Sequence, residues 1–183
     1  PWYLIWPIVR RAGFAIVDDP AEAHLVMCFA DATNVQVSPP DLPAGARLLN
    51  FGCATIAKSA VARAFEAAFG YPLHVDPRSW CGPAVEKSEI NAMHDGKIVQ
   101  CPRPPRQGRV YQRLIANDHG AGLVEDLRTT IVGGTPVCVF VKRRPVGSRF
   151  ANSNTTVALA NPHEVFTRAE IERIGAFASF MNL

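Results

Sequence analysis

The chain has 183 residues, 48% apolar and 19% charged, with a mean hydropathy of +0.05. That balance supports one ordinary domain, or two small ones, around a real core; it excludes a disordered tail, a collagen-like fibre and a coiled coil. No apolar run approaches the roughly 20 residues that span a bilayer. The apolar opening Trp2–Trp6 precedes its arginines, Arg10 and Arg11, the reverse of a signal peptide. A soluble globular protein is expected. The first residue is Pro1 and not Met, so a start further upstream is expected too.

Residues 1–54 read as a short α/β unit. Phe14–Val17 predicts a strand, Asp19 an N-cap for a helical turn from Pro20, and His24–Ala30 and Leu48–Phe51 two more strands. Apolar runs of this kind fit a parallel sheet covered on both faces. Ser38–Pro43 is a loop. From Thr55 to Phe69 the spacing of Ile56, Ala60, Val61, Ala64, Phe65 and Ala68 predicts a helix, which Gly70 stops.

Antiparallel strands follow. Ala84–Met93 and Lys97–Cys101 flank Asp95-Gly96, a hairpin-turn signal, and Pro102–Gly108 is a stiff spacer that carries a P-x-x-P. Arg109–Ile115 is another strand. Val124–Val132 and Thr135–Lys142 flank Gly133-Gly134, a second two-residue hairpin. Thr167 with Glu170 forms a capping box, and Ile171, Ile174, Phe177, Ala178 and Met181 line one face of the helix that it starts.

Five scattered cysteines, without a C-x-x-C pair, fit neither a disulfide framework nor a zinc site; they read as small core hydrophobes in a reducing cytoplasm. The histidines show no ligand spacing either. Net charge is +3, but nine basic and three acidic residues lie between Val99 and Phe150. A basic centre points to a polyanion, nucleic acid or nucleotide phosphate, beside the bland alternative of a solvated face. Read as a tight hairpin, Gly133-Gly134 pairs Arg128 with Val139. Asp126, Arg128 and Thr130 then share a face with Val137, Val139, Val141 and Arg143, a floor for a charged ligand or an ordinary half-solvated sheet. Lys87, one of four lysines, lies mid-strand, where an ammonium can neutralise a phosphate or merely guard an edge. Trp80-Cys81-Gly82 lacks the partners of a nucleophile site.

The order of these segments resembles the ATP-grasp superfamily, and in particular ligases such as ribosomal protein S6:glutamate ligase and glutathione synthetase. Thr55-Ile56-Ala57-Lys58-Ser59 opening a helix that ends at Gly70-Tyr71-Pro72 resembles the module's start. Gly82–Ser88 is similar to its "P-x-V-x-K-P" strand, and Val110–Ile115 to its hinge strand. Glu125–Gly134 is similar to its "D-[IL]-R-v-x-v-v-G-g" hairpin, and Lys142–Pro145 with Arg149–Asn152 to its "R-R…F-R-x-N" segment. Ser153-Asn154-Thr155 stands where the family usually carries Gly-Gly.

The resemblance implies an α+β, ATP-grasp-like nucleotide-binding fold preceded by part of a small Rossmann-like unit. The divisions would be 1–54, 55–108 for a first ATP-grasp subdomain and 109–183 for a second, C-terminally incomplete one. It implies an ATP-dependent ligase in which a carboxylate becomes an acyl phosphate that an amine or similar nucleophile attacks. Lys58 and Lys87 would neutralise phosphates, Gln112, Arg113, Leu114 and Ile115 would hold adenine, and Asn152 would join the nucleotide site. Arg128, Arg143 and Arg149 would stabilise the transferring phosphoryl group. Mg²⁺ would be held by acids on strands after the final helix, beyond Leu183, so this chain alone is expected to be inactive. The implied partners are ATP and a small carboxylate or peptide, without a membrane, with nucleic acid not expected and with homo-oligomers left open. A non-catalytic basic module for nucleic acid or a protein partner, on a degenerate fold of the same type, is the rival reading.

Overall fold

A computed structural model describes residues 5–29 and 32–183. Helix α1 (Ile5–Arg11) closes in a Schellman motif: Phe14 N–H donates to the Val9 carbonyl and Gly13 N–H to that of Arg10. Phe14–Val17, expected as a strand, is irregular and largely exposed, because no strand among the described residues offers it a ladder. Asp19 caps the short turn at Pro20–Glu22 as expected, its side chain accepting from the Ala21 amide. Strands β1 (Leu25–Met27) and β2 (Arg47–Leu49) do pair in parallel, but they are short. All three β2 residues are exposed, so the expected sheet covered on both faces is not observed among the described residues. Pro1–Leu4 and Ala30, parts of the expected opening segment and first long strand, lie outside the described residues.

Helix α2 (Lys58–Phe69) ends at Gly70, whose amide donates to the Glu66 carbonyl from the left-handed region. A three-stranded antiparallel sheet follows, with β3 (Gly82–Ser88) between β4 (Lys97–Cys101) and β5 (Arg109–Arg113). Asp95-Gly96 is not a two-residue turn. The strand stops at Ser88, a loop runs through residues 89–96, and the Asp95 carboxylate accepts the Ser88 amide at 3.0 Å. Ala84, Val99, Cys101 and Tyr111 form the core on one face of this sheet, with Val75 and Trp80 packed against them.

The second sheet has the order β6 (Asp118–Gly120), β7 (Leu123–Val132), β8 (Thr135–Pro145) and β9 (Thr156–Ala160), all antiparallel. Gly133 and Gly134 both adopt positive φ, as a type I′ turn demands. The ladder slips within three residues of that turn. Ile131 pairs with Pro136 but Thr130 pairs with Cys138, leaving Val137 as a bulge. Pro136 has no N–H for the ladder, which is why the bulge falls there. Strand β9 is an addition to the expected elements. Helix α3 (Pro162–Val165) and helix α4 (Arg168–Phe180) complete the chain, α4 beginning with the expected Thr167–Glu170 capping box. Its Ala178 and the following Met181 are buried where it packs on α2 and β8. The architecture is therefore mixed α/β with separate antiparallel sheets, consistent with α+β. No described helix is long and apolar enough to cross a membrane.

Candidate functional site

In β3 successive side chains alternate between faces, so Lys87 leaves the sheet on the side opposite Glu86 and Ala84. It shares that side with Val85 and, on the next strand, with the buried Gln112, which pairs with Val85. Lys87 is half-buried and makes no hydrogen bond or ion pair among the described residues. Burial holds its ammonium below the usual lysine range, and the charge of Lys58 lowers it further.

Lys58 opens α2 and turns its Nζ to the Ile90 carbonyl, 2.6 Å away. Burial depresses its pKa while Asp95 and Glu89 pull it back up. Glu89 is already engaged, its carboxylate accepting from both the amide and the hydroxyl of Ser59. The third member is His74, which bridges to Gln112 across the free edge of β5. Its Nε2 is buried with no hydrogen-bond partner among the described residues, and burial, aided by Lys87 and Arg63 against the pull of Glu89, lowers its pKa. Two ammonium groups and an imidazole are thus gathered beside the 89–96 loop with less negative charge than they need. The chemistry of that set is anion binding. His74 carried no sequence signal; it is recruited only because residues 73–75 run along β5, with Val75 N–H donating to Tyr111 and Arg113 N–H to Leu73.

The rest of the expected adenine strand divides. Gln112 faces Lys87. Arg113 faces the other way, its guanidinium 5.5 Å from the centre of the Trp80 ring. Leu114 is half-buried and Ile115 is exposed in the link between the two sheets.

The bulge at Val137 rearranges the second constellation. Beyond it Arg128 pairs with Phe140 and Asp126 with Lys142, so the face of Arg128 carries Phe140, Lys142 and Arg144. Arg143, expected on that face, lies on the opposite one with Val139 and Val141. There its Nε donates to Glu125 at 2.8 Å, and His119 Nδ1 stands 3.3 Å from the same carboxylate. Arg144 instead takes its place on the face of Arg128, opposite Val124. It is buried, ion-paired with Asp126, and donates to the carbonyls of Arg149 and Ala151. A proline in a predicted strand was the signal that would have found it. Arg149 donates to the side-chain oxygen of Asn117 at 3.0 Å, and Asn117 in turn donates to Asp126. Arg128 is exposed and without a partner among the described residues, as is Asn152.

The two constellations meet at one loop. A Cβ on Gly96 would stand 2.8 Å from Phe150 Cδ1, so the ring that follows Arg149 lies directly on the loop that receives Lys58. Two clefts lie elsewhere. One, of about 380 Å³, runs between α2 and the residues after α4, and one of about 160 Å³ lies between Cys28, Cys53 and Leu183. Neither is lined by the candidate residues. Among the described residues no three Asp, Glu, His or Cys side chains converge as a metal set. Asp118, Glu125 and Asp126 answer to arginines and His119 instead. No family description matches the chain, and no curated protein or solved structure is significantly similar to it.

Proposed function

We propose that the chain binds ATP, with the triphosphate held by Lys58, Lys87 and His74, and belongs to a ligase of the ATP-grasp type. The observation that carries this reading is Lys87: a half-buried, unpaired lysine beside a second lysine is costly unless an anion completes it. The orphaned His74 Nε2 fits the same anion. On the second sheet the open face of Arg128, Lys142, Phe140 and Leu159 combines cations with exposed apolar surface, as a nucleotide with charged and flat parts requires. In the proposed reaction a substrate carboxylate oxygen attacks the γ-phosphorus and ADP leaves; a nucleophile then displaces phosphate from the acyl carbon. Arg128 supplies charge to the phosphoryl oxygens, and Arg144 holds the Arg149–Ala151 segment in place. The described acids do not fit a Mg²⁺ site, and no step is assigned to one.

Calorimetric titration of the purified protein with ATP, ADP and adenosine tests the binding. Affinity should rise with phosphate number, and Lys87→Met should weaken ATP by about 10–100-fold, the worth of a charge-assisted contact. Equal affinity for ATP and adenosine, or an undisturbed Lys87→Met variant, removes the phosphate site. Hydroxylamine trapping tests the chemistry, since an acyl phosphate is converted to a hydroxamate. ATP binding without hydroxamate over a panel of carboxylic acids would show that this chain binds the nucleotide and does not by itself form the acyl phosphate.

A further inference from the structure

The face of the first sheet that carries Glu86 lies opposite Lys87, and it has a separate electrostatic character. Arg109 and Lys97 sit on it through their pairing with Ser88 and Glu86, and Arg113 through its pairing with Ala84. Arg106 reaches the same carboxylate from the 102–108 loop, its own amide donating to the Tyr111 hydroxyl. Arg103 follows because its backbone N–H donates to the Pro77 carbonyl, which brings Arg78 alongside. These six cations face three carboxylates, Asp76, Glu86 and Asp95, an excess of three that equals the net charge of the whole chain. One of the three acids, Glu86, is fully buried beneath the cations and so serves as their anchor without offering negative charge at the surface. Among the described residues the buried Nε of Arg103 has no hydrogen-bond acceptor, and that of Arg109 stands 3.6 Å from Glu86 Oε1 without a hydrogen bond.

We infer that the cations rimming this packed face form a binding surface for single-stranded nucleic acid. Five of the six cations are arginines, whose planar forks match phosphate oxygens. One of these arginines separates a nucleic acid from a generic polyanion: the exposed Arg113 guanidinium stands over the Trp80 ring, 5.5 Å from its centre, as a cation–π pair, and an unpaired base can stack on the guanidinium's outer face. Charge and a stacking platform side by side are the parts of a single-strand groove. An acidic polypeptide would use the charge and leave the platform idle.

Fluorescence anisotropy of a labelled 12-nucleotide single strand, titrated with the intact protein over a range of NaCl, tests this. Log affinity should fall linearly with log salt, with a slope of about −3 to −4 for four to six neutralised phosphates. Arg78→Ala and Arg106→Ala should each make the slope shallower by about 0.7 and leave ATP binding as it was. Arg113→Ala should weaken the single strand but not polyglutamate of equal charge. Arg78 is mostly exposed, so its variant should keep the fold even if Arg106→Ala does not. Polyglutamate or duplex DNA binding as tightly as the single strand would overturn the inference. So would displacement of the oligonucleotide by ATP at fixed ionic strength, or an Arg113→Ala variant that binds it unchanged.

Discussion

Glu86 and Lys87 are neighbours in β3, yet they leave the sheet on opposite faces and meet opposite surroundings. Burial pushes the Glu86 carboxyl up, but the Tyr111 hydroxyl at 2.9 Å, Lys97 and Arg106 outweigh it and hold the group below its ordinary value. Tyr111 pays in kind: burial and the Glu86 carboxylate raise its hydroxyl. Lys87 has no such company, and burial lowers it with Lys58 adding to the effect. One strand therefore carries a completed charge network on one side and an incomplete one on the other. The network around Glu86 explains how the sheet holds together; the unpaired Lys87 is where the proposed nucleotide would supply the missing negative charge.

Glu86→Gln should give the largest loss. Gln keeps the volume and part of the hydrogen bonding but strips the charge that three cations share. A loss of about 2–3 kcal/mol is expected, below the range for a fully buried pair because Lys97 and Arg106 are half-exposed and can turn to water. Urea unfolding at pH 7 measures it, and a change under 0.5 kcal/mol would show the network to be ornamental. Lys87→Met should move the other way, stabilising the protein by about 0.5–1 kcal/mol while weakening ATP. A residue whose removal stabilises the fold and harms binding is kept for the ligand. Loss of stability in Lys87→Met would mean that the ammonium has a structural partner after all.

The two charges also separate by pH. The folded pKa of Lys87 lies below the ordinary 10.5, so the unfolded chain holds that proton more tightly. Its cost is present at neutral pH and is relieved as pH rises through the folded value toward 10.5. The gain from Lys87→Met should therefore shrink in alkali. Glu86 has its folded pKa below the ordinary 4.5, so its contribution is present above that value and is lost as pH falls through the folded one. The penalty of Glu86→Gln should shrink in acid. Unfolding free energies of the three proteins from pH 3 to 10.5 test both trends, and parallel curves at both ends would contradict them.

Much of this comparison was legible from sequence on the Lys87 side and little on the Glu86 side. A lysine in a predicted strand among few lysines stands out, and period two gives its face, although β3 ends one residue after it, at Ser88, and not at Met93. Glu86 reads as one more polar strand residue until the 102–108 loop folds back to bring Arg106 to it, a contact 20 residues away in sequence. The hairpin shows the same limit from another direction. Gly133-Gly134 fixed the turn correctly, and Thr167–Glu170 the start of α4, because both are local rules. The pairing of Arg128 failed because Pro136 inserts a bulge, and one residue of slip moves every later side chain of β8 to the other face. Arg143 and Arg144 exchange places for that reason alone. Phe14–Val17 failed for want of a partner strand, which no local pattern reveals.

Lys97→Ala should have the smallest effect, and it sharpens the contrast with Lys87. Both lysines sit within the same sheet, one in β3 and one at the start of β4. Lys97 Nζ is 3.3 Å from Glu86, but its side chain is 51% exposed and Glu86 keeps Arg106, Arg109 and Tyr111 when it is gone. A solvated pair with three substitutes is worth about 0–1 kcal/mol. The loss should also fade with salt, because the lysine end is open to screening. ATP affinity should not change, since Lys97 projects from the face opposite Lys87. Titrating wild type, Lys97→Ala and Lys87→Met with ATP side by side reads this directly. Equal losses from the two substitutions would mean that bulk positive charge, and not the unpaired ammonium of Lys87, attracts the nucleotide.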